Sequence, residues 1–334
     1  MAVYTTIDNP ELYFQCKIFT GNAGTLAVTL DGSENMSPNM VWIKPRETGS
    51  FGTKVWDTVR GATNYIETNG NGAEGTGLSG VDSFDSDGFT LGSYGGSNPD
   101  GTGTVAWCWK ESTTAGFDIV AYTGNDSNRN ISHNLSSVPK FIIIKPRDQT
   151  DNWRVYHKGI DSSAEDYHLQ LNENGARSDN ATMFNDTAPT SSVFTVGTNS
   201  GINGDSNTFI AYVFSEKQGF SKFTNYKGNG NADGPFIWTG FRPALVVTKK
   251  SSDEGDWIIY DNKRDVDNLV HGRILLNDPA AEYNEDSHGL DFLSNGFKIR
   301  TSDQSWNESG ETFVCMAFAE QPFVNSNKVP CNAR

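Results

Sequence analysis

Apolar residues recur along this chain with a period of two. In Trp153-Arg154-Val155-Tyr156 the Trp and Val share one face, while Arg and Tyr share the other. Runs such as Phe141-Ile142-Ile143-Ile144 and Ala244-Leu245-Val246-Val247-Thr248 are short, β-branched and apolar on both parities. That pattern predicts strands buried on both faces. Turn dipeptides divide the runs: Asp87-Gly88, Asn174-Gly175, Asn203-Gly204 and Asn295-Gly296. Nothing sustains a helical period for three turns, and long Ala/Leu/Glu/Lys stretches are missing, so helical bundles and coiled coils are excluded.

The strand pattern occurs three times. Thr20-Gly21-Asn22 returns as Thr123-Gly124-Asn125 and as Lys227-Gly228-Asn229. Val41-Trp42-Ile43-Lys44-Pro45-Arg46 matches Ile142-Ile143-Ile144-Lys145-Pro146-Arg147 and, more weakly, Val246-Val247-Thr248-Lys249-Lys250. Lys54-Val55-Trp56, Arg154-Val155-Tyr156 and Ile258-Ile259-Tyr260 follow in order. Gly88-Phe89-Thr90-Leu91 and Val105-Ala106-Trp107-Cys108-Trp109 have counterparts at Val193–Val196 with Ile210–Phe214, and at Gly296–Ile299 with Val314–Phe318. The sequence therefore predicts an all-β chain of three tandem antiparallel β-sandwich, jelly-roll-like repeats of about 105 residues. They are placed at residues 1–117, 118–223 and 224–334, the last ending in an extended C-terminal arm after Glu320. No long linker separates them, so the copies are expected to pack together.

Composition narrows the function. The 334 residues carry 26 Lys+Arg against 41 Asp+Glu, a net charge of −15. That balance excludes a nucleic-acid binder that tracks phosphates with a basic face, and it disfavours an anionic membrane surface. No stretch approaches the ~20 apolar residues of a membrane span. The start, MAVYTTIDNPELYF, has neither a basic nor an apolar leader region, so manufacture in a reducing cytosol is expected. Cys16, Cys108, Cys315 and Cys331 have no metal-ligand spacing. The first two align with apolar residues of other copies and read as core-filling thiols.

Familiar catalytic motifs are missing: no GxGxxG opening a helix, GxxxxGK[ST], HExxH or GxSxG occurs. The acidic stretch Asp82-Ser83-Phe84-Asp85-Ser86-Asp87-Gly88 lacks the spacing of a Ca²⁺ loop and reads as a hairpin. His133, His157, His168, His271 and His288 share no repeat position and read as surface or loop residues. No catalytic residue, cofactor or metal site is assigned. Two tryptophans stand apart from the repeat frame. Trp306, with Asn307, lies in the polar segment TSDQSWNESG, and Trp238 replaces Asn134 of the second copy. An aromatic among Asn, Asp and Gln is the composition that stacks on a sugar or fills an interface, so these three residues are the candidate binding set.

Laid out in this order, the chain resembles the three-repeat virion structural proteins of marine tailed bacteriophages, including those of cyanobacteria. The strings that carry the resemblance are MAVYTTIDNPELYFQ, VWIKPR, DTVRGATN, SFDSDGFTLG and VAWCWK, then IVAYTGN, VPKFIIIKPRD and FIAYVFSEKQGFSKF. YKGNGNADGPFIWTGFRPALVV, WIIYDNKRD, DFLSNGFKIRTSD and MAFAEQPFVNSNKVPCNAR continue it to the end. The resemblance implies a non-enzymatic virion protein, assembled in the host cytoplasm, that contacts other virion proteins and forms a homo-oligomer, trimeric where it is a fibre. It supplies no catalytic residues. Many members carry a longer Ser/Thr/Asn-rich insert where this chain has only Lys110–Phe117. Three function classes stay open at this point: a tail fibre or tail-tip protein meeting a host surface glycan, a capsid decoration or head-fibre protein, and a glycan-cleaving tail enzyme.

Overall fold

The computed structural model describes residues 4–331. The chain opens with β1 (Phe14–Thr20), β2 (Leu26–Val28), β3 (Met40–Pro45) and β4 (Lys54–Asp57), then β5 (Ile66–Glu67), β6 (Val81–Asp85), β7 (Gly88–Leu91) and β8 (Gly103–Trp109). Next come β9 (Phe117–Thr123), β10 (Arg129–Ser132), β11 (Pro139–Pro146) and β12 (Arg154–His157), then β13 (Tyr167–Gln170), β14 (Ser178–Asp179), β15 (Val193–Val196) and β16 (Thr208–Ser215). The last stretch holds β17 (Ser221–Lys227), β18 (Phe236–Trp238), β19 (Phe241–Lys250), β20 (Trp257–Asp261) and β21 (Gly272–Leu275). It closes with β22 (Tyr283–Asn284), β23 (Leu290–Leu293), β24 (Gly296–Ile299) and β25 (Thr312–Pro322). Three single-turn helices interrupt the strands: α1 (Ala181–Phe184), α2 (Ser200–Asn203) and α3 (Gln304–Asn307).

The strands pair antiparallel into three large and three small sheets. Large sheet I has the order β1-β8-β3-β4-β5. Sheet II runs β9-β16-β11-β12-β13-β14, and sheet III runs β17-β25-β19-β20-β21-β22. Read from the same edge, the three share one order, with sheet I ending a strand early. The small sheets are β2-β7-β6, β10-β15 and β18-β24-β23. In the first pair the two layers enclose a core of Val28, Phe89 and Leu91 against Val41, Ile43, Trp56, Ala106 and Cys108. This is the antiparallel sandwich that the period-two pattern predicts.

The double-parity runs have a direct explanation. On β3, Val41 and Ile43 face the sandwich interior, while Met40 and Trp42 join a second core shared with residues of sheets II and III. Trp109, Phe214 and Phe318 occupy one register position, opposite Met40, Phe141 and Leu245. Their rings converge at that shared core, with Phe318 5.9 Å from both Trp109 and Phe214. Each fully buried ring of this size contributes about 2–3 kcal/mol by burial.

Polar contacts between the large sheets run in a circle. Asp57, His157 and Asp261 are equivalent, again facing Met40, Phe141 and Leu245. Trp107 of sheet I donates to Asp261 of sheet III (2.9 Å), and Tyr212 of sheet II donates to Asp57 of sheet I (2.6 Å). The third side is closed by His157 of sheet II and the Cys315 carbonyl of sheet III (3.1 Å). The repeated lysines follow the same circuit. Lys44 donates to the Pro279 carbonyl (2.8 Å), Lys145 to that of Asn71 (3.4 Å) and Lys249 to that of Asn174 (3.1 Å). Removal from water lowers these amines to about 8, 8 and 7 respectively.

Several local expectations are refined. His133, His157 and His168 are buried: His133 lies in the loop after β10, whereas β12 and β13 turn His157 and His168 inward, and His157 takes a place in the circle. The arm after Glu320 first completes β25, then folds back on itself through the Val324–Pro330 bridge. The segments joining the large sheets are 110–116 and 216–220, so the divisions drawn at 117 and 223 fall at the start of β9 and within β17.

Candidate functional site

Trp306 and Asn307 are built into the frame. Asp303 caps α3 by accepting from the Ser305 amide (2.8 Å), and that turn sends Trp306 inward. The indole is 2% exposed, 5.3 Å from the Tyr260 ring and 5.8 Å from the Arg273 guanidinium. It forms one wall of a cavity of about 230 Å³ shared with Asp256, Arg273, Tyr283, His288 and Ser305. It is therefore not the open stacking surface expected of a loop tryptophan.

Asn307 is fully buried, and its amide donates to the Asn231 and Thr301 carbonyls (2.7 Å each). Asn98 does the same with Gly24 and Gly92, and Asn203 with Ser127 and Gly197. Each of these asparagines also accepts from the backbone amide of Asn22, Asn125 or Asn229. The repeated glycine beside it has a matching reason. A Cβ on Gly21, Gly124 or Gly228 would lie about 2 Å from the carbonyl oxygen of Pro99, Gly204 or Glu308. The Thr-Gly-Asn signature and the buried asparagine are thus two halves of one clasp.

Trp238 is different. It lies on edge strand β18, 49% exposed, with Phe236 two residues earlier at 44%. Alternation puts both on the outer face while Ile237 points inward. Phe323 of the C-terminal arm meets the Trp238 ring edge-on at 5.7 Å. Lys298, opposite Phe236 in the register, pairs with Asp233 at 2.8 Å. The register also corrects the sequence alignment. Trp238 faces Gly296 as Ser132 faces Val193, so its counterpart is Ser132, not Asn134. On this outer face the first sheet pair carries Ala27 and the second Asn130 and Ser132, where the third has two aromatics.

Sequence reasoning missed one constellation. Glu111 and Asp118 share a hydrogen bond beside a cavity of about 230 Å³ that Asn39, Asn134 and Leu135 also line. Desolvation, then Asp118, raises the Glu111 carboxyl to about 7. Two carboxyls in contact are too close for the ~5–10 Å separation that glycoside hydrolysis uses; what the pair can do is hold one proton. The signal lay in the repeat, where Glu111, Glu216 and Glu320 stand at one position. Among the described residues no group of three or more His, Cys, Asp or Glu is placed to hold a metal ion. No described helix is long and apolar enough to cross a membrane.

Fold and surface together define an all-β, antiparallel sandwich protein with a distinctive third outer face. The chain belongs to the family described as Domain of unknown function (DUF7483), whose model matches residues 9–322. Neither the curated proteins nor the solved structures contain a match.

Proposed function

We propose that the protein is a non-enzymatic structural component of a phage virion, tail-associated at a fibre or tail tip, that meets a host surface glycan through the outer face of the third sheet pair. The observation that supports this reading is the contrast on that face. One strand framework carries Ala27, then Asn130 and Ser132, and then the exposed Phe236 and Trp238. Packing maintains strands, whereas exposed positions vary with what they touch. Adjacent aromatics with charged neighbours suit the apolar face and hydroxyl rim of a sugar ring.

The test is Trp238→Ala in an adsorption or glycan-binding assay beside a thermal melt. Loss of an aromatic anchor should weaken binding by roughly thirtyfold, corresponding to about 2 kcal/mol, with the melt unchanged. Trp306→Ala, which empties a buried site, should lower the melt instead, by an amount matching about 3–5 kcal/mol. Undiminished adsorption by Trp238→Ala particles would overturn the glycan assignment, and release of cleaved host polysaccharide would overturn the non-enzymatic one.

A further inference from the structure

The three joints between large sheets use one glutamate position with three different partners. Where sheet II meets sheet III, Glu216 receives Lys140 (3.2 Å) and Lys222 (3.1 Å), and the Phe223 amide donates to its carboxylate. On sheet III, Glu320 receives Arg242 at 2.6 Å, and it shares a pocket with Gln15 of sheet I. Where sheet I meets sheet II, the same backbone arrangement is kept, with the Ile119 amide donating to Glu111. The cations are gone. Asn39 stands where Lys140 would be, and Asp118 where Lys222 would be.

We infer that this joint is proton-gated: it closes when Glu111 and Asp118 share one proton, and it loosens when both are ionised. Asp118 is 2% exposed and accepts from the Asn134 amide (2.6 Å), while Glu111 is half-buried. Two anions in this position repel at short range, and the burial of Asp118 weakens the screening that water would provide. The other charged groups nearby do not relieve them. Asp57, at the end of β4, adds negative charge and is already engaged by Arg60. His133 faces Asp118 from the loop after β10, and burial favours its neutral form. Lys217, which packs on Gly116 of the connecting segment, donates to Ser137 Oγ (3.3 Å). Lys110, next in sequence to Glu111, is half-exposed.

Glu111 holds its proton up to about pH 7, so the gate acts near neutrality. Its folded-state value lies above the unfolded one. The joint's added stability is therefore full below the ordinary glutamate range and is lost as pH rises through neutrality.

Hydrogen exchange of the full-length protein, read by mass spectrometry at pH 5.5 to 8.5 and corrected for intrinsic rates, tests this. The opening equilibrium of residues 110–119 should grow up to about tenfold per pH unit from pH 5.5 towards 7 and level off above that, while residues 216–223 should show no such growth. Glu111→Gln, which keeps the shape and removes the charge, should flatten the response, and Asp118→Asn should do likewise. Equal pH dependence of the two segments in the wild type, or a response that survives Glu111→Gln, overturns the inference. The wild-type contrast decides the matter even if a variant fails to fold.

Discussion

Asp57, His157 and Asp261 share one position on the side that the large sheets turn towards each other, and Ala27, Asn130 and Phe236 share one on the side that the small sheets turn outward. The inward residues differ in identity, yet each is matched across the joint, by Tyr212, by the Cys315 carbonyl and by Trp107. The outward residues change in size and polarity with no partner from another large sheet, Asn130 meeting only Thr195 of its own sheet (2.9 Å). Burial penalises an inward change that leaves polar atoms unpaired, and at this position each is paired, whereas water accepts any outward one. The joint at Glu111 and Asp118 departs from this pattern in charge, because there the cations that meet the equivalent Glu216 have no replacement.

The comparison breaks most readily at Asp57. Asp57→Ala would strip Arg60 and Tyr212 of a fully buried partner, which should cost about 3–5 kcal/mol in denaturant unfolding. Asp57→Asn keeps an acceptor and should cost visibly less; equal losses would place the effect in packing and not in charge. Asn307→Ala, which leaves two carbonyls and the Asn229 amide without partners, should destabilise by about 2 kcal/mol.

The smallest effect concerns Lys249. Its folded value of about 7 lies below that of an unfolded lysine, so the unfolded chain binds the extra proton and stability should rise with pH above neutrality. Lys249→Met should reduce that rise by about 1 kcal/mol or more between pH 7 and 9. Melts run in parallel on both proteins cancel the opposing contribution of the buried tyrosines. Identical pH slopes would show that the carbonyls hold the ammonium without penalty.

Strands, turns and the recurring anchors were legible in the sequence because each is a local pattern. β11 and β19 cover the apolar runs Phe141–Ile144 and Ala244–Thr248 that predict strands, and β3 covers their counterpart Val41-Trp42-Ile43. What escaped was which of the two buried faces meets another sheet. Parity reports that both faces are apolar, not what covers them. Trp306 misled because its neighbours are polar, although its counterpart Ile202 is apolar and buried, a signal of inward orientation. Asn307 was equally readable, since Asn98 and Asn203 precede it at the same place. Trp238 departs from the repeat frame, and its exposure follows from alternation around Ile237. Glu111 drew no notice because, among 41 acidic residues, only the loss of its lysine partners marks it.

Circular contact among three sheets within one continuous chain frees the protein from a constraint on ordinary ring assemblies. Three identical subunits must obey rotational symmetry, so each surface substitution appears three times. Here the segments 110–116 and 216–220 tether the parts at an effective concentration that dilution cannot lower. A single aromatic patch can then be displayed once, in one direction, while the other two faces are free to hold different neighbours. Valence and orientation are thereby set by covalent order, before any second copy is met.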